Sequence, residues 1–198
     1  MDANRHIQQK FRVKGEESPP FTGWLASNRS HIAELFNELG YKVGAEIGVQ
    51  AGRNAYVLFQ KNPNLKLFCV DPWVPWDGGR PTQHKQNMFF YQAKRRLTGC
   101  NVVFIRKTSM EALSEISDGS LDFVYIDGQH DFDNVMMDII EWSKKVRTGG
   151  IISGHDYYQG PSVGVIPAVR AYVEGHGINE WYMTNEYVEK PSFFWVKS

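Results

Sequence analysis

The sequence predicts one α/β domain built on a doubly wound, mostly parallel sheet of seven strands that closes on an antiparallel hairpin. Three observations predict it. Short apolar runs alternate with segments of helical period from residue 43 to residue 175, and parallel strands need such crossovers, which are right-handed. The last two runs, 181–183 and 192–196, are aromatic and separated by a polar turn alone, so they can pair antiparallel at one edge. At 198 residues the chain holds one domain with a real core and not two of ordinary size.

Residues 1–29 are polar and mixed, Ser18-Pro19-Pro20 breaks any helix, and Phe21, Trp24 and Leu25 follow without periodicity. This stretch reads as an N-terminal arm or lid ahead of a domain spanning 30–198. Ser30 is a plausible N-cap for a helix with Ile32, Leu35, Phe36 and Leu39 on one face, and Gly40 stops it. Strand 43–47 breaks into the glycine corner Glu46-Ile47-Gly48-Val49-Gln50-Ala51-Gly52, and a mostly buried helix continues through Ala55 to Phe59 and ends near Asn62-Pro63. Strand 65–70 ends on Asp71. The stretch 72–82, with Trp73, Pro75, Trp76, Gly78, Gly79 and Pro81, reads as a loop over a site.

A helix over 83–97 leads to strand 101–105, and Thr108-Ser109-Met110-Glu111 has the form of a capping box for a helix to Ile116. Strand 121–126 ends on Asp127. Asp131 can cap a long helix in which Val135, Ile139, Trp142 and Val146 repeat, ended by Gly149-Gly150. Strand 151–153 ends on His155-Asp156, and Pro167 sits in the first turn of a helix before the terminal hairpin.

Lysine and arginine (22) balance aspartate and glutamate (22), so the charge proposes neither a nucleic-acid nor a membrane-surface partner, though it leaves room for a local basic patch. Aromatic content of 14% hints at stacking surfaces around a pocket. Cys69 and Cys100 lack metal or redox spacing and read as reduced core residues. The N-terminus has no apolar leader-like stretch and no window approaches the ~18 apolar residues of a membrane span, so a soluble, cytoplasmic protein is expected.

In an open parallel sheet the ligand lies at the carboxyl ends of the strands. Those ends carry Glu46 to Gly48, Asp71, Thr108-Ser109, Asp127 and His155-Asp156. Neighbouring parallel strands lie about 4.8 Å apart, so acids at their ends can reach one small ligand or one cation. Gly48-x-x-x-Gly52 lacks the Gly-x-Gly-x-x-Gly spacing that lets a backbone approach pyrophosphate, which disfavours NAD. A ligand with a carboxylate can use the positive helix end at Gly52-Arg53-Asn54, and Asp71 is placed for a ribose diol. An amino acid joined to adenosine fits.

From about residue 30 onward the chain resembles the class I S-adenosylmethionine-dependent methyltransferases, which are Rossmann-like. Glu46-x-Gly48-x-Gln50-x-Gly52 resembles their first motif, Asp71 their ribose acid, and Ser109-Met110 the segment flanking adenine; Asp127 is assigned to the same cofactor site. Ile126-Asp127-Gly128-Gln129-His130 and Gly149 to Tyr157 are similar to the small-molecule O-methyltransferase branch. Some of its members hold a divalent cation with an acid matching Asp127 and a pair matching His155-Asp156. Here histidine stands first in that pair. Magnesium prefers oxygen ligands and histidine suits manganese, iron or zinc better, so Asp127, His155 and Asp156 are the candidate ligands of magnesium or manganese.

The resemblance implies transfer of the sulfonium methyl to a small hydroxylated acceptor of sugar or natural-product type. A histidine's pKa range suits His130 as the base, with Asp127 orienting it or binding metal, and a cation at Asp127 and Asp156 that lowers the hydroxyl's pKa is the alternative. Trp73, Trp76, Tyr157 and Tyr158 are candidate lid or substrate contacts. An RNA or protein acceptor, or a non-catalytic S-adenosylmethionine-binding module, is the alternative. No nucleic-acid or membrane partner is expected, and a homo-oligomer is compatible with the sequence.

Overall fold

The structure, a computed structural model, describes residues 2–13, 18–22, 27–76, 81–185 and 190–198. Its elements are α1 (Ala3–Phe11), β1 (Phe21–Thr22), α2 (Arg29–Glu38), β2 (Val43–Ile47), α3 (Arg53–Lys61), β3 (Lys66–Val70), α4 (Gln83–Arg96), β4 (Val102–Ile105), α5 (Ser109–Ala112), β5 (Leu121–Ile126), α6 (Phe132–Lys145), β6 (Val146–Gly154), α7 (Val165–Gly175), β7 (Trp181–Met183) and β8 (Phe193–Val196). The order across the sheet is β1-β7-β8-β6-β5-β2-β3-β4. Only β8 runs against its neighbours, antiparallel to β6 and to β7. The sheet therefore has eight strands rather than seven, the addition being β1, which pairs parallel with β7 through Phe21 and Thr22.

Alternation along the strands divides the core in two. Ala45, Ile47, Val70, Val124, Ile126, Phe193 and Trp195 pack with Val135, Ile139 and Trp142 of α6 and Val165 and Val169 of α7. Leu67, Cys69, Phe123, Ile151 and Phe194 pack on the other face with Ile32, Leu35 and Phe36 of α2, Leu58 of α3 and Ala93 of α4. Phe36 stacks on Phe123 at 3.9 Å between centroids, and Gly44 leaves the room for it, since a Cβ there would sit 2.2 Å from the Phe123 ring.

Three local differences have physical reasons. Residues 3–11 form a helix, because Ala3, Ile7 and Phe11 recur every four residues and all three are buried, with Phe11 against Phe194. Asn28 rather than Ser30 caps α2, its side chain accepting from Ser30 N while His31 completes a capping box. Val146 opens β6 instead of closing α6, because it pairs with Leu121; the pairing then shifts, so that Phe123 faces Ile151 and residues 147–150 form the irregular stretch. Trp24, Leu25, Gly78 and Gly79 lie outside the described residues. Among the described residues no helix is long and apolar enough to cross a membrane.

Candidate functional site

Four backbone hydrogen bonds run across the carboxyl rim and set the candidate residues side by side. Each joins the first residue beyond one strand to the last residue of its neighbour: His155 N to Ile126 O, Asp127 N to Ile47 O, Gly48 N to Val70 O and Asp71 N to Ile105 O. The sheet register thus continues one step into the loops.

At one end stands the glycine corner. Gly48 has φ +90°, and a Cβ on it would lie 2.0 Å from the Asp127 carbonyl oxygen, so only glycine fits. Gly52, at φ +70°, caps α3 without a side chain and leaves the helix N-terminus open to an anion. The Asp71 carboxylate accepts from Gln50 N at 2.8 Å and Trp73 N at 2.7 Å, and so fastens the corner to the loop after β3. Burial raises its pKa against those two bonds. Trp73 is fully buried, donates from Nε1 to Gln50 O at 2.8 Å and packs on Phe90; it belongs to this frame, whereas Trp76 is exposed. Arg96 donates to Ala51 O and completes the support.

Beneath the corner, Glu46 is buried and accepts from Asn54 Nδ2 at 3.2 Å. Burial, with Asp127 and Asp71 adding to it, pushes its pKa up to about 8. Glu46 Oε2 and Asn54 Oδ1 are buried with no hydrogen-bond partner among the described residues. Two such atoms side by side at the strand end make this a candidate place for a ligand group that supplies their partner. Ser109 is held differently, since its hydroxyl donates to Asp138 of α6 and accepts from Trp142 Nε1 at 2.7 Å. Met110 is partly buried against the core.

At the other end Asp127, His130 and Asp156 converge. His130 Nε2 lies 2.9 Å from Asp156 Oδ2 and 3.5 Å from Asp127 Oδ1. Ligand atoms of these three residues all lie within 4.8 Å of one another. Asp156 sits at φ +57°, in the left-handed region that a non-glycine residue enters only when its surroundings hold it there. Hydrogen bonds to Asp127 and Asp156 push the His130 pKa up to about 10. His155 is buried behind them, Nδ1 at 3.4 Å from Asp156 Oδ2 and 3.6 Å from Asp127 Oδ1, with Arg29 Nη2 at 3.0 Å from its Nε2.

Burial lowers the His155 pKa, but the same two carboxylates outweigh it and push it up to about 9. The two rings compete for one source of stabilisation, and His130 is nearer to Asp156. A single imidazolium satisfies the pair, and we place it on His130 because the Arg29 contact leaves no room for a proton on His155 Nε2.

Glu46, Gly48, Gly52 and Asp71 thus lie together at the glycine corner, the candidate place for a cofactor, and ligand atoms of Asp127, His130 and Asp156 converge closely enough to hold a cation or a proton. Two carboxylates and an imidazole form a donor set that fits a divalent ion such as manganese. Of the aromatic candidates, Tyr157 is buried against Trp181 and Phe193. Tyr158 lines an open groove of about 530 Å³ with Gln159, Gly160, Val163, Ile166 and Pro167. Gly164, next in the chain to the groove residue Val163, donates to the backbone His130 O at 2.7 Å.

Sequence reading missed Arg29 and Asp138, and placed Asn54 at the helix end without its side-chain bond to Glu46. For Arg29 a signal existed, a cation in the first turn of a helix where the dipole disfavours it.

A family model described as a methyltransferase domain matches residues 45–157. An uncharacterised protein of Sinorhizobium fredii is 36% identical over 148 residues, 69% of this chain, and the chain spans 14% of that relative's length. An O-methyltransferase from Bacillus cereus, in complex with S-adenosylhomocysteine, aligns with a TM-score of 0.62 at 14% identity, covering 98% of this chain and 89% of its own. The O-methyltransferase TomG from Streptomyces achromogenes, involved in tomaymycin synthesis and in complex with S-adenosylmethionine, gives 0.60 at 15%, covering 100% and 91%. An rRNA methylase from Streptococcus thermophilus gives 0.61 at 13%, covering 87% and 98%. At these identities the likeness to solved structures concerns the fold.

Proposed function

The chain belongs to the methyltransferase domain family, and from that premise we propose that it moves the methyl group of S-adenosylmethionine to a hydroxyl of a small metabolite of sugar or natural-product type. The observation that carries the acceptor half of this reading is the convergence of Asp127, His130 and Asp156 beside the glycine corner. The sulfonium is already a good leaving group. What the protein must add is an acceptor oxygen in line with the methyl at about 3 to 3.5 Å, dry surroundings and a destination for the hydroxyl proton.

Gly48 and Gly52 present backbone to the donor, Asp71 meets the ribose, and Glu46 with Asn54 offers two unpartnered oxygens to the amino-acid end. Asp127 and Asp156 stabilise positive charge at His130, so His130 accepts the acceptor's proton only after releasing its own. Asp127, His130 and Asp156 would also hold a divalent cation, which when bound supplies a Lewis acid that lowers the pKa of a hydroxyl. His130 Nε2 can serve as base or as ligand, and not as both at once. The groove beside Tyr158 gives a small acceptor room next to the cluster.

Calorimetry with S-adenosylmethionine and NAD separates the donors, micromolar binding of the first and none of the second being expected. Methyl transfer from labelled donor to a panel of hydroxylated sugars and phenols, with and without chelator, tests the acceptor. Transfer to none of them, with transfer to RNA instead, overturns the small-molecule reading. That rival has one observation in its favour: residues 83–107 carry six lysines and arginines and no acid.

A further inference from the structure

We propose that Arg29 is a positioning residue of the acceptor end: by donating from Nη2 to His155 Nε2, it fixes His155 as the Nδ1–H tautomer, whose proton faces the Asp156 and Asp127 carboxylates beside His130. This deepens the site assigned above and rests on that reading of Asp127, His130 and Asp156.

The chemistry allows little else at this contact. A guanidinium has five N–H donors, no acceptor, and does not lose its proton in a protein. At 3.0 Å from Arg29 Nη2, His155 Nε2 must therefore offer a lone pair. The ring's one proton then sits on Nδ1, the nitrogen that faces the carboxylates at 3.4 and 3.6 Å. Partners behind a functional group set its tautomer and orientation in this way. His155 thus acts on the cluster as a neutral donor, and its Nε2 is not offered to a cation.

Two further observations describe how Arg29 is placed. It occupies the first turn of α2, which contains no acidic residue, although a helix N-terminus repels a cation. The chain before it is fastened by reciprocal bonds: Ser27 N donates to Asn185 O at 3.2 Å, and Asn185 N donates to Ser27 Oγ at 2.9 Å. Ser27 is itself buried. A residue 126 positions away in sequence from His155 is thereby held against it, and the segment ahead of the main domain reaches the acceptor chemistry.

Histidine 15N spectroscopy on the full chain tests this without an acceptor, with His155 assigned by its loss in His155→Asn. The wild type is expected to show one protonated nitrogen, Nδ1, and one lone-pair nitrogen, Nε2. Arg29→Ala should abolish that pattern, by a second proton or by tautomer exchange, and Arg29→Lys, which still donates, should restore it. A wild-type proton on Nε2, or an unchanged ring in Arg29→Ala, overturns the proposal. With any acceptor that is turned over, Arg29→Ala should lower kcat about tenfold or more while S-adenosylmethionine affinity stays within about twofold, and Arg29→Lys should recover part of the loss. An unchanged kcat overturns the coupling to the site. If methyl transfer to small hydroxyls fails altogether, the reaction reading falls while the tautomer result still decides the role of Arg29.

Discussion

Replacing Gly48 by alanine tests whether donor and acceptor halves are joined by one backbone contact. The added Cβ would lie 2.0 Å from Asp127 O and 2.5 Å from its carbonyl carbon, both backbone atoms with no flexible end to swing aside. Gly40 provides the control, since at φ +73° its Cβ would meet nothing within 4 Å. The left-handed conformation costs alanine about 1–2 kcal/mol, and the stiffer unfolded chain returns about 0.4–1 kcal/mol, so Gly40→Ala should lose about 1 kcal/mol. Gly48→Ala adds an overpacking cost of about 1–3 kcal/mol, for a total near 3 kcal/mol. At about 2–4 °C per kcal/mol for a chain of this length, the Tm falls by about 3 °C in the control and about 9 °C in Gly48→Ala. Relief of the overlap must also move Asp127 or the corner, and a displacement near 1 Å can cost about a hundredfold in function. Paired thermal unfolding and S-adenosylmethionine calorimetry read both effects. If Gly48→Ala loses no more stability than Gly40→Ala and binds the donor as the wild type does, the reasoning is refuted.

Three other perturbations follow from the same geometry. His130→Ala should reduce methyl transfer by about a hundredfold or more with donor affinity nearly unchanged, measured at saturating donor, and an unchanged rate removes it from the chemistry. Asp71→Asn keeps one acceptor oxygen and loses the other from a partly buried site bonded to Gln50 N and Trp73 N, so urea unfolding should show a loss of about 1–2 kcal/mol together with weaker donor binding. Burial pushes the Asp138 pKa up to about 6, against the Ser109 hydrogen bond. The folded state then holds that proton more tightly than the unfolded state does. Stability contributed by Asp138 is greatest below its unfolded pKa and declines as pH rises to about 6. Asp138→Asn should remove about 2 kcal/mol of the difference in unfolding free energy between pH 4.5 and pH 7.5, and an equal pH dependence in the variant refutes the burial argument.

What was legible in the sequence, and what was not, follows from the range of the forces involved. β2, β3, β4 and β5 fall within a residue or two of their expected spans, because each is a short, mostly apolar run closed by a glycine (β2) or by a polar residue (β3, β4 and β5) at its carboxyl end. Asp71, Asp127 and Asp156 were readable for the same reason. The helix over residues 3–11 was hidden because its apolar stripe is one residue wide, Ala3, Ile7 and Phe11, in an otherwise polar segment. Val146 continues the helical spacing of Val135, Ile139 and Trp142, so the pattern alone favoured helix; pairing with Leu121 decided for strand. Side-chain direction has no sequence signature at all. His130 and His155 both lie at the carboxyl rim beside Asp127 and Asp156, but only the folded chain turns His130 into the gap between the two carboxylates and sets Arg29 behind His155.

The glycine corner carries the larger physical lesson. Its glycines read as concessions to a ligand, yet the space left by the missing Cβ of Gly48 is filled by Asp127 O, and that of Gly44 by the Phe123 ring. Both neighbours belong to β5 or to the residue that follows it. β2 pairs with β5 residue for residue from Gly44 opposite Phe123 to Ile47 opposite Ile126, across nearly eighty positions of sequence. Only at that seam does the donor corner after β2 come beside Asp127. The two glycines of β2 and its loop are thus demanded first by the neighbouring strand, and the proposed donor corner lies beside the proposed acceptor acids because that strand is so close. A substitution at either glycine should accordingly damage stability even in the absence of donor, which a residue kept only for ligand approach would not do.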